Sequence, residues 1–513
     1  MPKKENRGIS FYFLTLYVFL IFCIYPLYFE NGYYNMGDAK CRFFFGTSVI
    51  AFFTIFVTNV LDMVLQKKRI GEMTSFQKGS ITEKLLCVYI VSVFLSYIFS
   101  DFKKDVLWGA EGWYLGTIPL LLMAVLSFFL MYRWEKQEWL KAGFLIVSSV
   151  VFILGICNRF SFYPIPMEPH QGAFISTLGN INWLCGYMSV VSPVGIGLFM
   201  FTEDKKYKYP WQKGFLVFYV MLVFILGFCQ GSNSVFLWNG ALFLVLFWIS
   251  LRKIVFLKKW LLLIAMWGIS GQLVRIFVRI FPEKYSYDST LLVDTNITWI
   301  MALIAVCLYV RLKFYQKKEI EFFCAYGNRI AGMITAGLVI VFLFWLILAV
   351  YNTNVGISFL AGKPLFLLND SWGNGRGIIF KTTFEMFENM TPMQKLFGVG
   401  ADGYSVFAYS IGEIEIALKN YFGDTVLTNA HCEILTNFIN LGILGTVAYA
   451  GIFITFIVRC MKTGEKIPYA YIPALCVIGY FSNNFISFAQ VLNTPYLFLI
   501  LGMGESYLKK NES

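Results

Sequence analysis

Arg376, His431 and Glu433 have the types and spacing for acid–base and anion chemistry. His431 is one of two histidines in the chain and stands in "LTNAHCEILTNFINLGILG", just before a long apolar run. An unperturbed imidazole titrates near ~6.5, so it can accept a proton at neutral pH. Such a base could take the proton of a hydroxyl that attacks a phosphate-activated carbon. The same position also suits an interfacial residue or a helix cap. Asn429 is placed to cap the helix that follows, which would put His431 in the first turn. Glu433 could orient the imidazole only if the helix start bends, because residues two apart face different sides. Arg376 lies in "NDSWGNGRGIIFKTTFEMF", among Gly373, Gly375 and Gly377. A glycine-rich turn that opens a helix and carries an arginine offers free N–H groups, a positive helix end and a guanidinium fork to an anion. It is equally the pattern of a capped helix with a solvated arginine. In the helix that follows, Phe380, Phe384 and Phe387 share a face, as in an amphipathic helix lying on a membrane surface or on neighbouring spans. "LFGVGADGY" then makes a tight turn.

The elements that must hold these residues are apolar. Hydrophobic residues make up 58% of the 513 and charged residues 14%, against ~25% charged in soluble domains. The expected fold is all-α, a polytopic membrane bundle of about 12–14 transmembrane helices. Apolar runs fall at 10–29, 43–65, 85–100, 114–132, 142–158, 178–201, 214–231, 235–251, 260–281, 295–310, 330–350, 432–458, 468–488 and 493–508. The basic "MPKKENRGIS" leads into a first span that is not a cleaved signal. Alternate loops carry the basic clusters "QKKRIGEMTSFQKGSITEK", "EDKKYK", "RKIVFLKK" and "RLKFYQKKEIE". By the positive-inside rule these loops and both termini are cytoplasmic, in a cell membrane. The net charge of +12 therefore reports topology and contact with anionic lipid, and gives no support for nucleic acid. The chain divides into an N-terminal membrane half (1–213), central helices (214–350), a long extracytoplasmic segment (351–430) and C-terminal helices (431–513). A connection of that length is a functional loop or a small domain of its own. The eleven cysteines are scattered without a CxxC pair, as packing residues are.

Other candidates lie on the same outer side. Arg275 and Arg279 in "GQLVRIFVRIF" share a helix face near the outer end of a span. They could bind a diphosphate, or snorkel to headgroups. His170 and Arg159 sit in a loop that could approach the same place. Asp101, Asp105 and Glu111 could contact sugar hydroxyls or form a solvated rim. No GxxxxGKS loop, HExxH or cytoplasmic DxD pair occurs, so neither ATP nor a metal-held nucleotide sugar is the expected energy source.

Taken together, "GRGIIFKTTFEMF", "LFGVGADGY" and "NAHCEILTNFINLGILG" resemble the O-antigen ligase and O-antigen polymerase family of bacterial membrane glycosyltransferases. "STLGNINWLCGYMSVVSPV", with Gly179, Asn180 and Asn182, is similar to that family's Gly-x-x-Asn segment, and "DFKKDVLWGAEGWYLGT" to its third outer loop. The resemblance implies an undecaprenyl-diphosphate-linked glycan as donor. It implies transfer with inversion to an acceptor hydroxyl, on a glycan or lipid-linked acceptor, without metal or cofactor. His431 would be the base and Arg376, with Gly375 and Gly377, would hold the diphosphate. Arg275, Arg279, Glu433, Asn180, Asn182 and His170 would be further binding residues. The chain departs from the pattern twice. In "QGSNSVFLWNG" Asn233 stands where many members carry an arginine, and Cys432 follows the histidine where Asn is common. Two competing readings are a lipid-linked oligosaccharide flippase, which would use charges inside the bundle, and a transferase using a monophosphate polyprenyl sugar. The latter would rely on the first outer loop, which has only Glu30 and Asp38.

Overall fold

The structure is a computed structural model that describes residues 8–65, 79–168, 174–285, 292–314, 317–360 and 362–512. His170 lies outside the described residues.

Each of the fourteen apolar runs is helical. Hydrocarbon offers the backbone no hydrogen-bond partners, so an apolar run must satisfy its own peptide groups. Among the described residues ten helices are long and apolar enough to cross a membrane, from Ile9–Leu27 to Glu433–Lys466. Thr117–Arg133 and Ser234–Ser250 are shorter apolar helices. Tyr471–Asn484 and Thr494–Glu512 complete the set. The chain is an all-α, multi-pass membrane protein. Among the described residues the strands amount to one two-residue antiparallel pair, Phe174–Ile175 with Gly179–Asn180.

One apolar core runs from Leu14 to Leu508, so the divisions at 213 and 350 separate stretches of one packed bundle. The segment between spans has a core of its own. Ile378, Ile379, Met386, Met390, Tyr404, Phe407, Ile414 and Leu418 pack together, closed by Leu427, Ala430 and Ile439. Its helices are Trp372–Asn389, Pro392–Phe397, Tyr404–Ala408 and Gly412–Phe422. The packed face of the first only partly follows the phenylalanine stripe: Phe380 and Phe387 are half-buried against this core. Ile379, Thr383 and Met386 are buried, and the Thr383 hydroxyl meets the Tyr404 hydroxyl at 2.6 Å. Phe384 points away and is 60% exposed. Two threonines, apolar enough at Cγ2 and able to bond back to the helix carbonyls, extend the packed face at positions that ring-counting leaves polar.

Two devices seat this segment on the bundle. Gly442, at φ 63°, breaks the long helix Glu433–Lys466, freeing carbonyls in the preceding turn. The N–H groups of Val399 and Gly400 donate to Ile439 O and Asn440 O, each at 3.0 Å. The turn "GVGADG" is therefore structural, repairing the break it abuts. Asp402 supplies the second device. Its buried carboxylate accepts the N–H groups of Ala110 at 2.8 Å and Leu115 at 3.2 Å. That pins the loop 109–116 against the segment. Burial pushes the Asp402 carboxyl up to about 7, opposed by these two donors.

Candidate functional site

Arg376 is positioned by a turn of unusual backbone. Gly373, Asn374 and Gly375 are left-handed in succession, at φ 61°, 63° and 86°, so the regular helix starts at Arg376 and not at Trp372. At Gly377 a Cβ would lie 1.9 Å from Asn369 O, so only glycine lets residues 369–371 fold across the helix start. The Ile378 N–H donates to Asp370 O at 3.1 Å, which uses one of the N–H groups otherwise open to an anion. The guanidinium curls back: Nη1 donates to Gly373 O at 2.5 Å and Nη2 to Ile486 O at 2.6 Å. Its Nε is buried without a hydrogen-bond partner. Buried N–H groups are nearly always paired, so an orphan on a guanidinium marks a place for an acceptor.

His431 is not in the first turn of a helix. The helix begins at Glu433, with Cys432 before it, and His431 sits one step earlier at φ 48°. Asn429 caps no helix; its Oδ1 accepts the His431 N–H at 2.9 Å. Thr436 Oγ1 accepts the Ala430 N–H at 3.0 Å and donates to Cys432 O at the same distance. These short-range bonds compete with the helix and hold His431 in a bend, half-buried. Its ring packs edge-on against Phe488, centroids 5.3 Å apart. Burial, and then the positive charge of Arg376, push the imidazole down to about 4.

Residues 486–488 connect the two groups: Ile486 O accepts from Arg376 and Phe488 packs on His431. The segment 351–430 thus brings a half-buried guanidinium, and the residue after it a half-buried imidazole, to the same short stretch of the bundle, and the charge of Arg376 is felt at His431.

Glu433 turns inward from there, towards a cavity it lines with Asn429, Trp113 and Phe488. It is 3% exposed and accepts three bonds inside the bundle: Tyr449 Oη at 2.5 Å, Tyr480 Oη at 3.2 Å and Asn484 Nδ2 at 2.8 Å. A carboxylate so occupied has little left for an imidazole or a ligand, so it is a structural anchor where a substrate contact was expected. This cavity of about 30 Å³, also lined by Asp402, Asn437 and Thr494, has the size of a water site.

The other sequence candidates are mostly engaged in structure. Asn180 caps the helix Ile181–Phe201, its Oδ1 accepting the Asn182 N–H at 2.8 Å. Asn182 Oδ1 accepts from Ser232 Oγ at 2.9 Å, tying the helix to the "QGSNS" turn. Arg275 Nη1 donates to Asn296 Oδ1 at 2.7 Å, and Arg279 is exposed. Neither has a described hydrogen bond or ion pair to Arg376 or His431. Arg159 is completely buried and donates to Gln230 O, at the turn that carries Asn233. Asp101 accepts from Gln394 Nε2 at 3.1 Å, while Asp105 and Glu111 are exposed. Sequence inspection missed Phe488 and Trp113. Trp113 packs on Phe488 at 5.8 Å and on Trp183 at 6.2 Å. No local signal marks either among so many aromatic residues. Among the described residues no group of three His, Cys, Asp or Glu is placed to hold a metal ion.

No protein-family model matches the chain, and no curated protein matches it.

Proposed function

We propose that the chain is a membrane glycosyltransferase of the O-antigen ligase or polymerase type. It would move a glycan from an undecaprenyl-diphosphate carrier onto a sugar hydroxyl during surface polysaccharide synthesis. The observation that carries this is that Arg376, with an orphaned buried Nε, and His431 are both anchored on residues 486–488. The acceptor hydroxyl loses its proton to the His431 imidazole as its oxygen bonds to the anomeric carbon. The bond from that carbon to the diphosphate oxygen breaks with inversion, and the diphosphate leaves as an anion at Arg376. An imidazole pushed down to about 4 is a weak base when the site is empty. A bound diphosphate offsets the Arg376 charge, the lesser of the two causes, and so raises the basicity of the imidazole. The membrane brings lipid-bound donor and acceptor into one plane, reducing the entropy cost of their meeting. The site faces the extracytoplasmic side and both termini the cytoplasm, as the loop charges require.

A flippase would need room for a glycan inside the bundle. Its best sequence features, Arg275 and Arg279, line no such room among the described residues: Arg275 is bonded to Asn296 and Arg279 is exposed, which favours the enzyme.

The test is reconstitution with an undecaprenyl-diphosphate oligosaccharide and a glycan acceptor. Wild type lengthens or transfers the glycan; His431→Asn does not. Asn is the better replacement because it tolerates the left-handed backbone. Full turnover by folded His431→Asn protein overturns the assignment of the base.

A further inference from the structure

A second cavity lies beyond the Arg376–His431 site. It measures about 450 Å³ and is lined by Tyr34, Asn35, Asp38, Glu111, Phe174 and Trp183, among others. That is within the ~300–1,000 Å³ of small-molecule sites. Its walls come from three separate stretches, 33–38, 111–112 and 174–183. A floor of Tyr33, Met36 and Met167 supports them. We infer that this cavity is a binding subsite for an uncharged part of a glycan, and that it positions the acceptor relative to His431; this rests on the transferase reading above.

Three features point to that chemistry. The first is the mixture of surfaces. A pyranose ring has apolar C–H faces and a rim of hydroxyls, and it is held by aromatic faces combined with fixed acceptors. Trp183, Phe174 and Tyr34 supply rings, Tyr34 with 64% of its surface exposed. Asp38 and Glu111 supply carboxylate acceptors. The Tyr114 hydroxyl donates to Asp38 and fixes its position.

The second feature is charge. Among the described residues the two cations of this stretch hydrogen-bond elsewhere, and Arg42 also lies in the field of Asp38. Lys40 donates to Tyr25 O and Pro26 O, and Arg42 is paired with Glu30. The pocket is therefore net acidic and repels a diphosphate or a uronic acid. The donor's phosphates belong at Arg376, leaving this pocket to neutral sugar.

The third is continuity with the chemistry. Trp183 packs on Trp113 at 6.2 Å, Trp113 on Phe488 at 5.8 Å and Phe488 on His431 at 5.3 Å. Val491 N–H donates to Trp113 O at 3.0 Å, and Asp402 pins the same loop. An unbroken line of packed rings, with Phe488 buried at its inner end, thus fixes the pocket wall relative to the imidazole.

The experiment is saturation-transfer NMR and tryptophan fluorescence on the full chain in nanodiscs. The probes are three neutral disaccharides (chitobiose, lactose, maltose) and a hyaluronan disaccharide carrying a uronate. At least one neutral probe binds saturably, and the acidic probe binds at least tenfold more weakly. Tyr34→Ala and Glu111→Gln, both at exposed residues, each weaken the neutral probe at least fivefold with unchanged thermal unfolding. No saturable neutral binding, equal binding of the acidic probe, or full affinity in both variants overturns the subsite. His431→Asn keeps probe affinity, so loss of turnover there with binding intact separates the two claims. If wild type binds the probes as described but transfers no lipid-linked glycan, the transferase reading fails and the sugar pocket stands.

Discussion

His431 and Glu433 are two residues apart, yet their surroundings are opposite. The half-buried imidazole sits on left-handed backbone, against an aromatic ring and within the field of Arg376. The carboxylate is buried in the bundle with three donors on its two oxygens. Reactive groups are left poised, while structural ones are saturated. Here the boundary between the two falls at Cys432, where the long helix begins. The adjacent Glu433 holds this helix to Tyr480 and Asn484 of another, so the bend that presents His431 has a fixed base.

That contrast can be broken from either side. The largest effect is expected at the site: His431→Asn should lower turnover by ~10²–10⁴, the range for a positioned base. The folded fraction and melting temperature should stay near wild type. Arg376→Gln should lower turnover by ~10²–10³, as loss of one strong electrostatic donor does, and should also weaken the binding of polyprenyl diphosphate. Arg376→Lys should recover little, because a point charge cannot replace a fork whose Nη1 and Nη2 are held by carbonyls. Glu433→Gln should show the reverse pattern. It presents an N–H₂ group where three donors need acceptors, costing ~1–3 kcal/mol in stability. Turnover per folded molecule should stay within a few-fold of wild type. Equal melting curves with lost turnover would move Glu433 into the chemistry.

The smallest effect is in pH-dependent stability. The His431 imidazole is at about 4 when folded and near ~6.5 when unfolded. Between those values the unfolded chain binds more protons, so this group removes stability as pH falls from about 6.5 to about 4 and contributes nothing above. Asp402 acts oppositely. Its carboxyl is at about 7 when folded, so the folded chain binds more protons above ~3.9 and its contribution weakens as pH rises to about 7. Melting temperatures across pH 4–8 should therefore diverge between wild type and His431→Asn only below about 6.5, the variant being the more stable there. For Asp402→Asn the gain in stability should appear towards pH 7 and above.

Much of the bundle was legible because hydrocarbon leaves an apolar run one solution; all fourteen runs are helices. The long segment with a core of its own was legible from length alone. The site was legible only as residue types. That Arg376 and His431 share an anchor depends on Ile486 O and Phe488, more than fifty residues beyond His431, which no local pattern links to either. The cap at Asn429 failed because Asn and Thr side chains there bond backbone within the bend and delay the helix by two residues. Asn180, Asn182 and Arg275 have the donors and acceptors of binding residues, and the fold uses them for a cap and two loop ties. Polar side chains in a membrane protein are needed for both roles, and sequence does not separate them.

The chain has two histidines, so His170→Gln leaves His431 as the only imidazole to observe. Its protonation can be followed by NMR of labelled protein in nanodiscs, with and without a short polyprenyl diphosphate. If Arg376 and His431 form one diphosphate site, the imidazole titrates near 4 in the free protein, rises by at least one pH unit with the lipid, and does not respond in Arg376→Gln. An imidazole that titrates at the ordinary value and ignores the lipid would contradict the account.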